Sequence, residues 1–178
     1  MRLGGRDKGL IDDQGETFVS TLTRLLRPHC RRILLSCNRN LAEYAAIGDV
    51  LVRDQLPDFQ GPFAGIYSAA LQTDADFLLI CPCDTPGLDN RFVERMLADL
   101  RSASASRVAH DGIRSQQLHL LLKRAQALSC GDYLRQGGRS VYDWLMPLQP
   151  EFVDFSDCAD MFHNINTPSD LQWWQSSR

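Results

Sequence analysis

Four short, almost uninterrupted apolar runs recur along this chain, and that recurrence limits its fold more than any other feature. Residues 32–35 (RILL), 50–52 (VLV), 77–81 (FLLIC) and 118–122 (LHLLL) are too short for helices and lack the alternation of a strand with one wet face. They predict strands of a sheet buried on both sides. Amphipathic segments lie between them. Residues 18–26 place Phe18, Leu22, Leu25 and Leu26 on one side of a helix, and residues 66–71 and 92–100 behave similarly. Residues 141–145 and 171–174 predict later helices. Strands alternating with helices predict an α/β fold with a mostly parallel sheet. A length of 178 residues is enough for one domain, 1–178, with a real core.

In such a sheet ligands sit beyond the carboxyl ends of the strands. SCNRN (36–40) follows the first run, Arg53 and Asp54 and then DFQGPFAG (58–65) follow the second, and CPCDTP (81–86) follows the third. Loops are polar in any case, and Gly and Pro make turns; it is the convergence at successive strand ends that predicts a site. Asp84 emerges where a buried strand reaches solvent. A hard carboxylate there is a natural Mg²⁺ ligand, with phosphate oxygens and water completing the shell. It would equally serve as N-cap of the helix near Asn90 or open an Asp-Thr-Pro turn. Cys81 and Cys83 lack a C-x-x-C partner, and His29, His110, His119 and His163 lack metal-ligand spacing, so buried thiols are expected.

The chain opens MRLGGRDKGL. Gly4 and Gly5 let the backbone approach a phosphate, successive N–H groups can form an anion nest, and Lys8 adds a charge. Taken alone, these ten residues fit a plain flexible terminus better, and neither G-x-x-x-x-G-K-[ST] nor G-x-G-x-x-G occurs. HDGIR (110–114) predicts a turn between two strands. In YLRQGGRSV (133–141), Arg139 follows a Gly pair at a helix start, where it would meet an anion or stay a surface arginine. In FHNINTPSD (162–170), Asn164 and Asn166 share a side if extended, and Thr167-Pro168 starts a final helix. Two amides there would hold a polar heterocycle or close the loop.

The net charge of -3 argues against a nucleic-acid polymer as partner, while leaving room for a small anion held by local cations. No apolar run approaches the roughly 18 residues of a membrane span. The first ten residues are too polar for a signal-peptide core. Six cysteines without an export signal are expected as reduced thiols in a cytoplasm.

In order, the pieces read GGxDKGL, CNR, GPxAG, CPCDTP, HDGxR, YLxxGxRSV and NxNTPxDL. That series, running through residues 3–171, resembles the molybdenum cofactor guanylyltransferases. CPCDTP and NINTP are quite specific to them; DKG and GPxAG are shared with broader nucleotidyltransferases. The resemblance implies a Rossmann-like nucleotidyltransferase three-layer sandwich. It implies transfer of GMP from GTP to the phosphate of Mo-molybdopterin, with Mg²⁺ required and pyrophosphate released. By similarity, Lys8 contacts the nucleotide phosphates and Asp84 holds Mg²⁺. The nucleotide-binding set expected is Gly4, Gly5, Lys8, Ser36, Asn38, Asp54, Gly61, Gly65 and Asp84. Asp54 falls at the family's GTP-pocket aspartate, and a carboxylate accepting from guanine N1–H and N2–H is a sound way to select guanine. Arg139, Asn164 and Asn166 fall in motifs expected on the pterin side. Expected partners are GTP and Mo-molybdopterin, with molybdopterin-delivery proteins and molybdoenzyme chaperones as further candidates; a monomer is expected.

Three departures stand out. The family begins with an apolar strand and L-A-G-G, whereas this sequence starts inside the loop, so two unpaired strand edges and a gap in the core are expected. Ser36 stands where the family commonly has asparagine. Gly15 to Phe18 and Gln116 to Leu118 depart from the family's usual wording. A pterin cytidylyltransferase, a sugar-1-phosphate nucleotidyltransferase and a non-catalytic nucleotide- or cofactor-binding module are the competing readings.

Overall fold

The computed structural model describes residues 7–55, 61–100 and 106–177. Gly4, Gly5, residues 58–60 of the second strand-end loop and residues 102–105 of the SASAS turn lie outside the described residues. A small hairpin, β1 (Asp12–Asp13) and β2 (Glu16–Thr17), leads into α1 (Phe18–Leu26). Then come β3 (Leu34–Ser36), α2 (Leu41–Ala45), β4 (Val50–Val52), α3 (Pro62–Leu71), β5 (Phe77–Ile80) and α4 (Asn90–Leu97). The second half holds β6 (Ser106–His110), β7 (Ser115–Lys123), α5 (Arg124–Arg135), α6 (Val141–Leu145), β8 (Glu151–Asp154) and α7 (Pro168–Ser176).

The α/β class is the one expected, and each of the four apolar runs contains a strand, the first only from Leu34 onward. β3 pairs parallel with β4, and a four-stranded sheet runs β5-β7-β6-β8. That sheet is mixed: β7 is antiparallel to both β5 and β6, while β8 is parallel to β6. The cause is the turn at residues 110–114. Asp111 Oδ1 accepts from Ile113 N at 2.8 Å and Arg114 N at 2.7 Å, and Gly112 takes φ +90°. So short a connection can only return the chain antiparallel.

β7 explains why its apolar run is continuous. Leu120 and Leu122, with Val108 of β6, pack under Phe63 and Ile66 of α3, Ala127 and Leu134 of α5, and Trp144 and Leu145. Leu121 and Ala109 face the other way, against Phe92, Val93 and Met96 of α4 and Phe155 and Phe162. Side chains alternate across a strand, so a strand covered by helices on both faces must be apolar throughout.

His119 interrupts that run on the α4 face and is 2% exposed. Its ring meets Phe92 edge-on at 5.7 Å and Phe162 at 4.9 Å between centroids. Nε2 lies 3.0 Å from Thr85 Oγ1, whose hydroxyl donates to Pro82 O at 3.2 Å. Thr85 therefore accepts, and Nε2 carries the proton. Burial pushes the His119 pKa down to about 3. Between the unfolded value and about pH 3 the unfolded chain binds a proton that the folded one refuses, so stability is full above the unfolded value and falls with pH. We expect acid titration from about pH 6.5 to 4 to lower the melting midpoint, with a limiting slope of about 1.4 kcal/mol per pH unit for one proton. His119→Gln should flatten that slope; an unchanged slope would contradict the assignment.

Among the described residues β3 pairs only with β4, β5 pairs only with β7, and no pairing joins β3 to β5. Between them lies a cavity of about 820 Å³, lined by Leu34 and Leu35, Leu78 and Leu79, Leu22 of α1 and Ile66 of α3. The expected pair of open strand edges with a gap between them is thus present. The interior of that gap is apolar; its polar end is where the strand-end loops converge.

Candidate active site

β3 and β4 set one half of the site. Their register pairs Ser36 with Val52, so two residues further on Asn38 and Asp54 stand opposite each other. Asn38 Nδ2 donates to Asp54 Oδ2 at 2.8 Å, and Asp54 N donates back to Asn38 Oδ1 at 3.2 Å. A carboxylate has about four acceptor positions, so Asn38 leaves most of Asp54 available. α3 closes on this pair from above. Gly61, at φ +133°, makes the entry that Pro62 then continues as the first helical residue. Gly65 sits so close to the end of β3 that a Cβ there would lie 2.6 Å from Ser36 Oγ.

The other half is built around Asp84, at the end of β5. Lys8 Nζ donates to Asp84 Oδ2 at 2.8 Å and to Asn166 Oδ1. The segment carrying Asn166 is tied to the same turn, since Ile165 N donates to Asp84 O at 2.8 Å. Asp170 Oδ2 accepts from Asn166 N and Thr167 N at 2.9 and 2.8 Å, and Thr167 Oγ1 caps α7 in return. α7 is held to the N-terminal hairpin by Trp174 Nε1 donating to Asp13 Oδ2 at 2.9 Å and by Ile11, Phe18 and Ile165 packing together. Contacts 158 positions apart in sequence thereby become possible. The α4 N-cap is Asp89, which accepts from Arg91 N at 2.9 Å, so Asp84 is not spent on capping.

The thiols beside Asp84 are poor chemistry candidates. Burial pushes Cys83 up to about 11, with the charges of Asp84 and Asp7 adding to the effect, and burial raises Cys81 further. Both remain neutral at ordinary pH and offer neither a thiolate ligand nor a nucleophile. All six cysteines are free.

Ser36, Asn38, Asp54, Gly61, Gly65 and Asp84 all belong to the lining of that same cavity and make up its polar end. Lys8 and Asn166 join them through Asp84. Asn166 thus meets the lysine that Asp84 also holds, while Asn164 lies two residues earlier in the same segment. Arg139 stands in the turn after α5, donating to Leu134 O at 3.3 Å and Gly138 O at 2.6 Å, and is not part of the cavity wall. Sequence reasoning passed over Asp7 and Tyr44, which hold the loop carrying Lys8, and the Thr85–His119 prop behind Asp84. Asp7 was visible beside Lys8 in DKG; Tyr44 and His119 carried no signal beyond that of core residues.

The description "MobA-like NTP transferase domain" matches residues 1–149. The molybdenum cofactor guanylyltransferase of Shewanella baltica strain OS155 is 39% identical over 172 residues, covering 96% of this chain and 88% of that relative. Its counterpart in Shewanella sediminis is 38% identical over the same share. Among solved structures, molybdopterin-guanine dinucleotide biosynthesis protein A from Archaeoglobus fulgidus superposes with a TM-score of 0.74 at 16% identity, covering 97% of this chain and 91% of the other. The 2-C-methyl-D-erythritol 4-phosphate cytidylyltransferase of Thermus thermophilus gives 0.76 at 13% identity, with coverage of 96% and 92%. At those identities the structural likeness speaks to the fold alone.

Proposed function

We propose a function from one premise: the chain belongs to the molybdenum cofactor guanylyltransferases, a family of MobA-like NTP transferase domains. It is a nucleotidyltransferase that moves GMP from GTP to the phosphate of Mo-molybdopterin. A P–O bond forms between that phosphate and the α-phosphorus of GTP. The bond from the α-phosphorus to its bridging oxygen breaks, and pyrophosphate leaves with the electron pair. The observation that carries the reading is the Lys8–Asp84–Asn166 cluster at the polar mouth of the cavity that also holds the Asn38–Asp54 pair.

Both reactants are anionic, and the attacking phosphate is already ionised, so no general base or covalent nucleophile is needed. The protein's work is positioning and charge compensation. Asp84 fits Mg²⁺, because such sites use one or two carboxylates together with substrate phosphates. The bound ion would offset charge on the phosphate oxygens. Lys8, held beside Asp84 and Asn166, would offset the charge of the phosphates and of the departing pyrophosphate. Ser36, Asn38, Gly61 and Gly65 shape the nucleoside end, and Gly4 and Gly5 extend the phosphate loop. Asn164 and Arg139 serve the pterin, with Asn166 bridging the two ends. The setting we propose is a single-domain monomer in the cytoplasm, receiving Mo-molybdopterin from a delivery protein and handing product to molybdoenzyme chaperones.

Asp54 selects guanine by accepting from N1–H and N2–H. Asp54→Ala should cut the preference for GTP over ATP in kcat/KM by about 10- to 100-fold, the worth of one or two hydrogen bonds to a charged group. Turnover with all four nucleoside triphosphates checks this. An undiminished preference would move guanine recognition elsewhere.

A further inference from the structure

We propose that Tyr44 is a positioning residue for the transfer reaction: through Asp7 and Gly9 it fixes the loop that presents Lys8. The inference rests on the reading of Lys8 as the phosphate-contacting cation. Lys8 stands between the two residues through which α2 grips the loop. On one side, among the described residues, the Asp7 carboxylate draws its side-chain donors from residues 39–44. Tyr44 Oη donates to Oδ1 at 2.6 Å, and Asn40 Nδ2 and Arg39 Nε donate to Oδ2 at 3.0 and 3.2 Å. On the other side, Gly9 rests on the same phenol; a Cβ there would lie 2.5 Å from Tyr44 Oη. One hydroxyl therefore fixes both flanks of Lys8, by a hydrogen bond before it and by contact after it.

Two features of α2 mark this as more than ordinary core packing. Asn40 occupies the N-cap of the helix, yet its side chain turns to Asp7 rather than to the helix N–H groups, and its backbone sits at φ +53° in the left-handed region. Tyr44 is 6% exposed and packs with Val19 and Cys37, so its ring cannot swing to follow a displaced loop. Burial and the Asp7 carboxylate hold the phenol well above its usual range, which keeps it a donor. The loop turn Lys8–Leu10 is three residues long, closed by Ile11 N donating to Lys8 O at 3.2 Å. Apart from that bond and Leu10 N donating to Asp7 O at 3.2 Å, so short a turn has little of its own to hold its backbone, and the grip of residues 39–44 on Asp7 and Gly9 steadies the segment that carries Lys8.

The test uses the full chain and three variants, Tyr44→Phe, Lys8→Ala and the double substitution, with GTP, Mg²⁺ and Mo-molybdopterin. Tyr44→Phe removes one oxygen and keeps the ring under Gly9. It should lower kcat about tenfold, within what a misplacement of about an ångström can cost, while KM for GTP stays within about twofold and the melting midpoint moves by no more than a few degrees. In the Lys8→Ala background, where turnover is already low, adding Tyr44→Phe should change kcat no further, because a residue that acts through Lys8 has nothing left to act on. If Tyr44→Phe is silent, or multiplies the Lys8→Ala loss by the same factor it causes alone, Tyr44 does not act through Lys8 and the inference falls by itself. If Lys8→Ala turns over at the parent rate, the reading of Lys8 falls and takes this inference with it.

Discussion

Asp84→Ala is expected to lower Mg²⁺-dependent turnover about 10³-fold, on the scale of losing a principal electrostatic group from a reaction between anions. The fold should survive almost unchanged. The Asp84 side chain is 20% exposed, and its pair with Lys8, itself 27% exposed, is worth at most about 1 kcal/mol after solvent screening. The contact that ties the Asn166 segment to this turn uses the Asp84 carbonyl, which alanine also provides. A melting midpoint within a few degrees of the parent, beside near-complete loss of turnover, is therefore the expected pattern. Asp84→Asn refines it: the amide oxygen can still accept from Lys8 but cannot supply a charged metal ligand, so it should be almost as inactive as alanine. Turnover within a few-fold of the parent in either variant would remove Asp84 from the metal-holding role.

Phe92→Ala should have the largest effect on stability, about 3–5 kcal/mol. The ring is fully buried and packs with Phe155, Phe162 and His119 at 5.8, 6.3 and 5.7 Å between centroids. It fills the layer between α4 and the sheet, and no neighbour can collapse into so large a space without leaving its own contacts. At this chain length the loss corresponds to roughly 6–20 °C in the melting midpoint. The site should feel it too, because His119 supports Thr85, the residue next to Asp84. Denaturant unfolding with an unchanged slope checks the number. A loss below about 1 kcal/mol would mean that the α4 face of the sheet is not the core described.

The strands of the sheet were legible where both faces are covered. The runs at 77–81 and 118–122 needed apolar residues on each side, and that requirement wrote itself into the sequence. β8 was not legible, because Glu151–Asp154 is short and mostly exposed. α5 was missed for the opposite reason. Apart from Leu134 it is buried through small residues, Ala127, Cys130 and Gly131, and a Cβ at Gly131 would sit 2.5 Å from the Tyr67 ring. Small residues that allow close helix packing leave little apolar periodicity. The β1–β2 turn was hidden in Gln14-Gly15, both at positive φ, where Asn-Gly would have announced it.

The site shows the same division. Asp54 and Asp84 could be found because each follows a strand end where the fold gathers chemistry, and Gly61 and Gly65 because they sit in the G-P-x-A-G stretch that opens α3. The meeting of Asn166 with Lys8 could not, since it depends on α7 docking against the N-terminal hairpin. Arg139 looked equivalent to Asn164 and Asn166 as a motif residue, yet it sits in the turn after α5, outside the cavity wall. Tyr44 and His119 resembled ordinary core residues, and only the groups they touch distinguish them.

The most direct test of the central claim is pyrophosphate release by the full chain with Mo-molybdopterin and Mg²⁺, supplied in turn with GTP, CTP, ATP and UTP, with the pterin product identified by mass. Pyrophosphate release with GTP alone, matched by formation of the pterin guanine dinucleotide, is the predicted result. Equal or faster release with CTP, or nucleotide binding without any pyrophosphate, would contradict it.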